Sequence, residues 1–115
     1  MIAQLPQADD ASFDQVVLSE PSPVMIEFYS QMCGHCRRMA PVIETLARDY
    51  GARLRIFQVD ANRNPALLER FGIRGVPTMV LLVGGKETDR MVGAMPREAL
   101  EAHVDRVLAE VPHGS

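Results

Sequence analysis

The sequence predicts an α/β fold: a central mixed sheet of four to five strands with helices on both faces. Three observations carry this. Val24-Met25-Ile26-Glu27-Phe28-Tyr29 is apolar except for Glu27, the pattern of a strand buried on both sides. Segments of helical periodicity alternate with such runs, which implies parallel strands joined by a right-handed helical crossover. Gly84-Gly85 between two strand-like runs adds an antiparallel hairpin.

In chain order, Ile2 to Leu5 has the composition of a short strand. Ser12 with Gln15 three residues on reads as a capping box for a helix whose apolar side is Phe13, Val16 and Val17. Pro21-Ser22-Pro23 breaks it. After the buried strand, Ser30 to Gly34 reads as a loop. From Cys36 a helix follows, with Met39, Ala40, Ile43, Leu46, Ala47 and Tyr50 inward, a kink at Pro41 and a stop at Gly51. Leu54 to Val59 is the next strand, with Asp60 at its end. Asn64 caps and Pro65 opens a short helix that turns Leu67, Leu68 and Phe71 inward and exits at Gly72. Pro77 to Val83 and Thr88 to Val92 are the strands of the hairpin. Pro96 opens a last helix with an apolar stripe of Leu100, Val104, Val107, Leu108 and Val111.

The 115 residues suit one domain, spanning 1–112, with 113–115 as a disordered tail. A net charge of −3, with arginines scattered rather than clustered, argues against a nucleic-acid module. No apolar run approaches the roughly 18–20 residues of a membrane span. Met1 to Pro6 lacks the basic-then-apolar layout of a secretion signal, so the chain reads as cytoplasmic. It would be periplasmic or secreted if a signal segment had been removed.

Both cysteines lie in Met32-Cys33-Gly34-His35-Cys36-Arg37, between the buried strand and the helix. Two residues apart, they can close a small disulfide ring, and a helix start favours a thiolate on the first. The competing reading is half of a zinc site. Structural zinc takes four ligands, and neither a second cysteine pair nor a ligand spacing among His35, His103 and His113 is present. Glu27 is a lone acid in a buried strand; desolvation should raise its pKa and leave it able to accept a proton from Cys36. At an edge of the sheet it would merely reach water. His35, between the cysteines, is either a partly protonated imidazole that stabilises the Cys33 thiolate or an exposed spacer.

This element order, with Cys33-Gly34-His35-Cys36 after Ile26-Glu27-Phe28-Tyr29, resembles the thioredoxin family. Met39-Ala40-Pro41, Val59-Asp60, Asn64-Pro65, Phe71 to Thr78 and Val92-Gly93-Ala94 extend the likeness over nearly the whole chain. The resemblance implies the thioredoxin fold and a protein thiol–disulfide oxidoreductase. Cys33 would be the nucleophile, Cys36 the resolving thiol, and Glu27 and His35 their helpers. A cis bond at Pro77 and a substrate rim of Met32, Gly34, Val76, Pro77, Gly93 and Ala94 are also implied. The redox group is then the Cys33–Cys36 pair itself, with no further cofactor and no metal. The implied partners are protein substrates with disulfides or thiols, and a thioredoxin reductase or another dithiol donor, with the protein a monomer. The different alternative is a thioredoxin-fold adaptor, or a metal- or iron–sulfur-cluster-binding module using the same cysteines.

The departures from the family are specific. Met32 and His35 stand where common thioredoxins carry Trp and Pro, and Cys-Gly-His-Cys is similar to protein disulfide isomerases. Met32 offers a pliant apolar contact and His35 a more oxidising couple. A lysine often found beside the buried acid is matched by Ile56, which leaves Glu27 without a charge partner.

Overall fold

The computed structural model describes residues 5–111. The elements are α1 (Phe13–Val16), β1 (Val24–Tyr29), α2 (Gly34–Tyr50), a 3-10 turn (Gly51–Arg53), β2 (Arg55–Asp60), α3 (Pro65–Phe71), β3 (Thr78–Val83), β4 (Lys86–Val92) and α4 (Arg97–Ala109). The four strands form one mixed sheet in the order β2-β1-β3-β4. β1 pairs parallel with β2 and antiparallel with β3, and β3 pairs antiparallel with β4. The expected strand at Ile2–Leu5 falls largely outside the described residues, as does the tail at 113–115. Next to it, Gln7 makes a single parallel bridge to Gln58 beside β2.

Strand alternation divides the core in two. Met25, Ile56, Met79, Leu81 and Met91 face one side, where α2 supplies Met39, Ile43 and Leu46 and α4 supplies Leu100, Val104 and Val107. Val24, Ile26, Phe28, Phe57, Val59, Val80 and Leu82 face the other, where they meet Phe13, Val17 and Leu67. Leu108 and Val111 are only half-buried at the end of the α4 stripe. By the same alternation Glu27 and Tyr29 share the face of Met25, and therefore lie under α2.

Several local expectations are corrected. The capping box lies one turn earlier than Ser12 and Gln15: the Asp9 carboxylate accepts from the Ser12 N–H at 2.8 Å, and Ser12 Oγ accepts from the Asp9 N–H at 3.3 Å. Ser12 makes no side-chain cap of its own, and Val16 is exposed rather than inward. The second helix starts at Gly34, not Cys36, with Cys33 as its N-cap, and it continues through Pro41. Asn64 and Pro65 open α3 as expected and Gly72 closes it in the left-handed conformation, but the Asn64 side chain does not cap it. Asp10 does: its carboxylate accepts from the Ala66 and Leu67 N–H groups at 3.1 and 2.9 Å. Asn64 instead joins the Asp10 N–H to the Asp60 carbonyl. The return strand begins at Lys86 rather than Thr88. Gly84 and Gly85 both have positive φ, which closes the hairpin in two residues, and a register shift between Leu81 and Leu82 absorbs Thr88.

The register also corrects the neighbour assigned to Glu27. Ile56 pairs with Met25, whereas the residue beside Glu27 is Gln58.

Candidate active site

The loop leaving β1 delivers Cys33 to the N-terminus of α2. Cys33 takes an extended conformation (φ −90°, ψ 118°), and its sulfur accepts from the Cys36 N–H at 3.3 Å. The thiol thus occupies the place of a capping oxygen, where first-turn N–H groups lack helical partners. Gly34, His35 and Cys36 fill the first turn, which leaves Cys33 half-buried and Cys36 buried beneath it.

The two sulfurs are pushed in opposite directions. Hydrogen bonding from Cys36, by its thiol and then its backbone N–H, lowers the Cys33 pKa, and the His35 N–H and the Arg37 charge act the same way. Burial pushes Cys36 up to about 12, against a hydrogen bond from the Ser30 backbone, and the nearby Cys33 and Glu27 charges add to the rise. One thiol is prepared to ionise and the other to stay protonated.

Glu27 is 1 % exposed, and burial raises its pKa to about 7. The Gln58 amide, donating to Glu27 Oε1 at 2.8 Å, works against that rise. Among the described residues no ion pair includes Glu27. A group half-ionised near neutrality, on the face of β1 covered by α2, can exchange a proton with a thiol as weakly acidic as Cys36.

His35 is exposed, and its Nδ1 lies 2.6 Å from Arg38 Nη2. A guanidinium only donates, so Nδ1 is the acceptor in this contact. The groups that favour the Cys33 thiolate include the His35 backbone N–H and the Arg37 charge, and Arg37 also donates to the Gln31 carbonyl at 3.1 Å.

The rim assembles from three segments. The Val76–Pro77 peptide bond is cis, and the Val76 carbonyl lies 3.7 Å from Cys33 Sγ, accepting from the thiol. Gly93, at φ 89°, donates its N–H to the Pro77 carbonyl at 2.8 Å, which places Gly93 and Ala94 beside that loop. Met32 is 85 % exposed, an apolar side chain next to the nucleophile. Met95, next in sequence to Ala94, packs partly buried against the core.

Gln58, Gln7 and Ser30 were not anticipated. Ser30 Oγ accepts from the Met32 N–H at 3.3 Å and from Asn62 Nδ2 at 3.1 Å, fixing the loop ahead of Cys33. Gln58 had a legible signal, because it is the lone polar residue within Ile56-Phe57-Gln58-Val59, as Glu27 is in its own strand. Among the described residues no group of three or more His, Cys, Asp or Glu side chains could hold a metal ion, and no helix is long and apolar enough to cross a membrane.

Comparison with known proteins agrees with this geometry. The family model described as Thioredoxin matches residues 4–106. A chloroplastic thioredoxin of Arabidopsis thaliana is 35 % identical over 107 residues, which is 93 % of this chain and 55 % of that protein. The chain thus spans about half the length of that plant relative. Thioredoxin of Synechocystis sp. is 34 % identical over 103 residues, covering 90 % of this chain and 96 % of its own length. Thioredoxin 1 of Nostoc sp. is 34 % identical over 102 residues, covering 89 % and 95 % respectively. With a matching fold, a Cys-x-x-Cys pair at a helix start and relatives of this closeness, the chain belongs to the thioredoxin family of thiol–disulfide oxidoreductases.

Proposed function

We propose that the Cys33/Cys36 couple exchanges electrons with protein disulfides and thiols through a mixed disulfide. The observation that carries the reading is the placement of the two thiols. The half-buried Cys33 Sγ accepts from the Cys36 N–H at 3.3 Å at the start of α2, which favours its thiolate, while burial favours a protonated Cys36. In the reducing direction the Cys33 thiolate attacks one sulfur of a substrate disulfide. A Cys33–substrate disulfide forms, and the departing substrate sulfur takes up a proton. Glu27 accepts the Cys36 proton as that sulfur attacks Cys33 Sγ. The second substrate thiol then leaves, and a Cys33–Cys36 disulfide remains. The substrate is reduced by two electrons and the protein oxidised by two.

The Val76 backbone beside Cys33 supports docking of an extended substrate segment, with Met32, Gly34, Pro77, Gly93 and Ala94 as its surroundings. No cofactor beyond the cysteine pair is needed. A thioredoxin reductase or another dithiol donor would return the electrons to a protein acting as a monomer. A chain whose two cysteines are both committed to this motif suits a reducing, cytoplasmic compartment.

The test is a trap. Cys36→Ser should accumulate a disulfide between Cys33 and target proteins, while the parent protein reduces insulin when supplied with a dithiol. Failure of Cys36→Ser to form adducts, with Cys33 accessible to alkylation, would overturn the mechanism.

A further inference from the structure

Cys36 lines an open cleft of about 820 Å³ together with residues that include Gln7, Glu27, Tyr29 and Gln58. Four of its polar side chains form one directed chain. Tyr29 OH donates to Gln7 Oε1 at 3.1 Å, Gln7 Nε2 donates to Gln58 Oε1 at 3.0 Å, and Gln58 Nε2 donates to Glu27 Oε1 at 2.8 Å. Every donor points toward the buried acid. Gln58 is also pinned through its backbone, its N–H donating to the Pro6 carbonyl and its carbonyl accepting from the Ala8 N–H, both at 2.9 Å.

The direction matters because an amide has two ends of opposite character. With Nε2 toward Glu27, Gln58 favours the carboxylate; turned over, its Oε1 would favour the protonated acid. With Gln7 Nε2 donating to Gln58 Oε1, the oxygen end of Gln58 is occupied on the far side and the Nε2 end is left for Glu27. The Tyr29 hydroxyl, which can donate or accept, closes the chain without setting its direction. We propose that Gln58 is a positioning residue that keeps its N–H on Glu27, and that Gln7, by donating to Gln58 Oε1, holds the Gln58 amide in that orientation. Gln7 is then part of the redox site through Gln58. The proposal deepens the reading above, since its catalytic consequence rests on Glu27 accepting the Cys36 proton.

The other groups around Glu27 do not supply this function. Cys36 faces it from α2 and Tyr29 lies on its own strand. Met79, paired with it on β3, carries no charge. Of the charged residues that line the cleft, Arg63 and Asp60 lie 3.9 Å apart, Arg37 donates to the Gln31 carbonyl, and Asp9 accepts from the Ser12 N–H.

The experiment follows the Glu27 side-chain carboxyl carbon by NMR across a pH titration of the reduced protein, alongside the pH profile of mixed-disulfide resolution in single turnover. Gln58→Leu should raise the Glu27 midpoint by about one pH unit, because a hydrogen bond to a charged acceptor is lost. Gln7→Leu, at an exposed position, should raise it by less. The resolution profile should move upward with each. An unchanged midpoint in Gln7→Leu and Gln58→Leu overturns the proposal, and Gln7→Leu alone decides it if Gln58→Leu does not fold. A moved midpoint with an unmoved rate profile would instead remove Glu27 from the proposed mechanism and leave the clamp standing.

Discussion

Replacing His35 by Pro separates the backbone of the motif from its side chain. His35 is the second residue of α2, where an N–H has no intrahelical acceptor, so Pro fits there without breaking a helical bond. What Pro removes is the N–H that helps Cys33 ionise. A full hydrogen bond to a charged group is worth about 1.5–3 kcal/mol. This one is shared with the Cys36 N–H and acts on a partly solvated sulfur, so about 1–1.5 kcal/mol is the appropriate scale. For a two-electron couple that lowers the reduction potential by about 20–30 mV. The thiolate stabilises the reduced form only where Cys33 is ionised. The difference should therefore vanish below the parent Cys33 midpoint and reach full size above the variant's. Equilibration against glutathione redox buffers over a range of pH, read by alkylation and mass spectrometry, measures it. His35→Ala keeps the N–H and should shift the potential less. A potential that is unchanged or higher in His35→Pro, or an equal fall in His35→Ala, would refute the reasoning.

Glu27→Gln should slow resolution of the mixed disulfide by about a hundredfold at neutral pH, measured by stopped-flow chase of a trapped adduct. The same substitution has a signature in stability. Between about 4.5 and about 7 the folded protein holds a Glu27 proton that the unfolded chain has lost, so stability falls as pH rises through that window and levels off above it. Urea unfolding at about pH 4 and about pH 8 should show the variant gaining on the parent by on the order of 3 kcal/mol across the window. Asp10→Ala should cost about 1–2 kcal/mol in urea unfolding, since the Ala66 and Leu67 N–H groups lose their cap. Met32→Ser should raise KM for protein substrates about fivefold, the equivalent of about 1 kcal/mol of lost apolar contact, and leave the unfolding midpoint unchanged because Met32 is 85 % exposed.

The elements that sequence made plain are those whose signals are local. Apolar runs located β1, β2 and β3, the Gly84-Gly85 pair located the hairpin, and Asn64-Pro65 with Gly72 bounded α3. The acid and the cysteine pair stood out for the same reason, each breaking the pattern around it. What escaped depends on partners far away in the chain. Asn64 has the right chemistry for a cap, yet Asp10 arrives from 57 positions earlier and occupies the Leu67 N–H. Register decides that Gln58 rather than Ile56 meets Glu27, and no single strand's composition contains its register. At His35 the sequence shows the ring, whereas the backbone N–H that favours the Cys33 thiolate depends on the turn that opens α2.

The segment from Gln7 to Asp10 is held by side-chain hydrogen bonds to partners 22 to 57 positions away, in β1, in β2 and at the start of α3. One short stretch of chain therefore ties together three elements that are remote in sequence. A change made there to stabilise or loosen α3 is felt at Gln58, and through Gln58 at the buried acid.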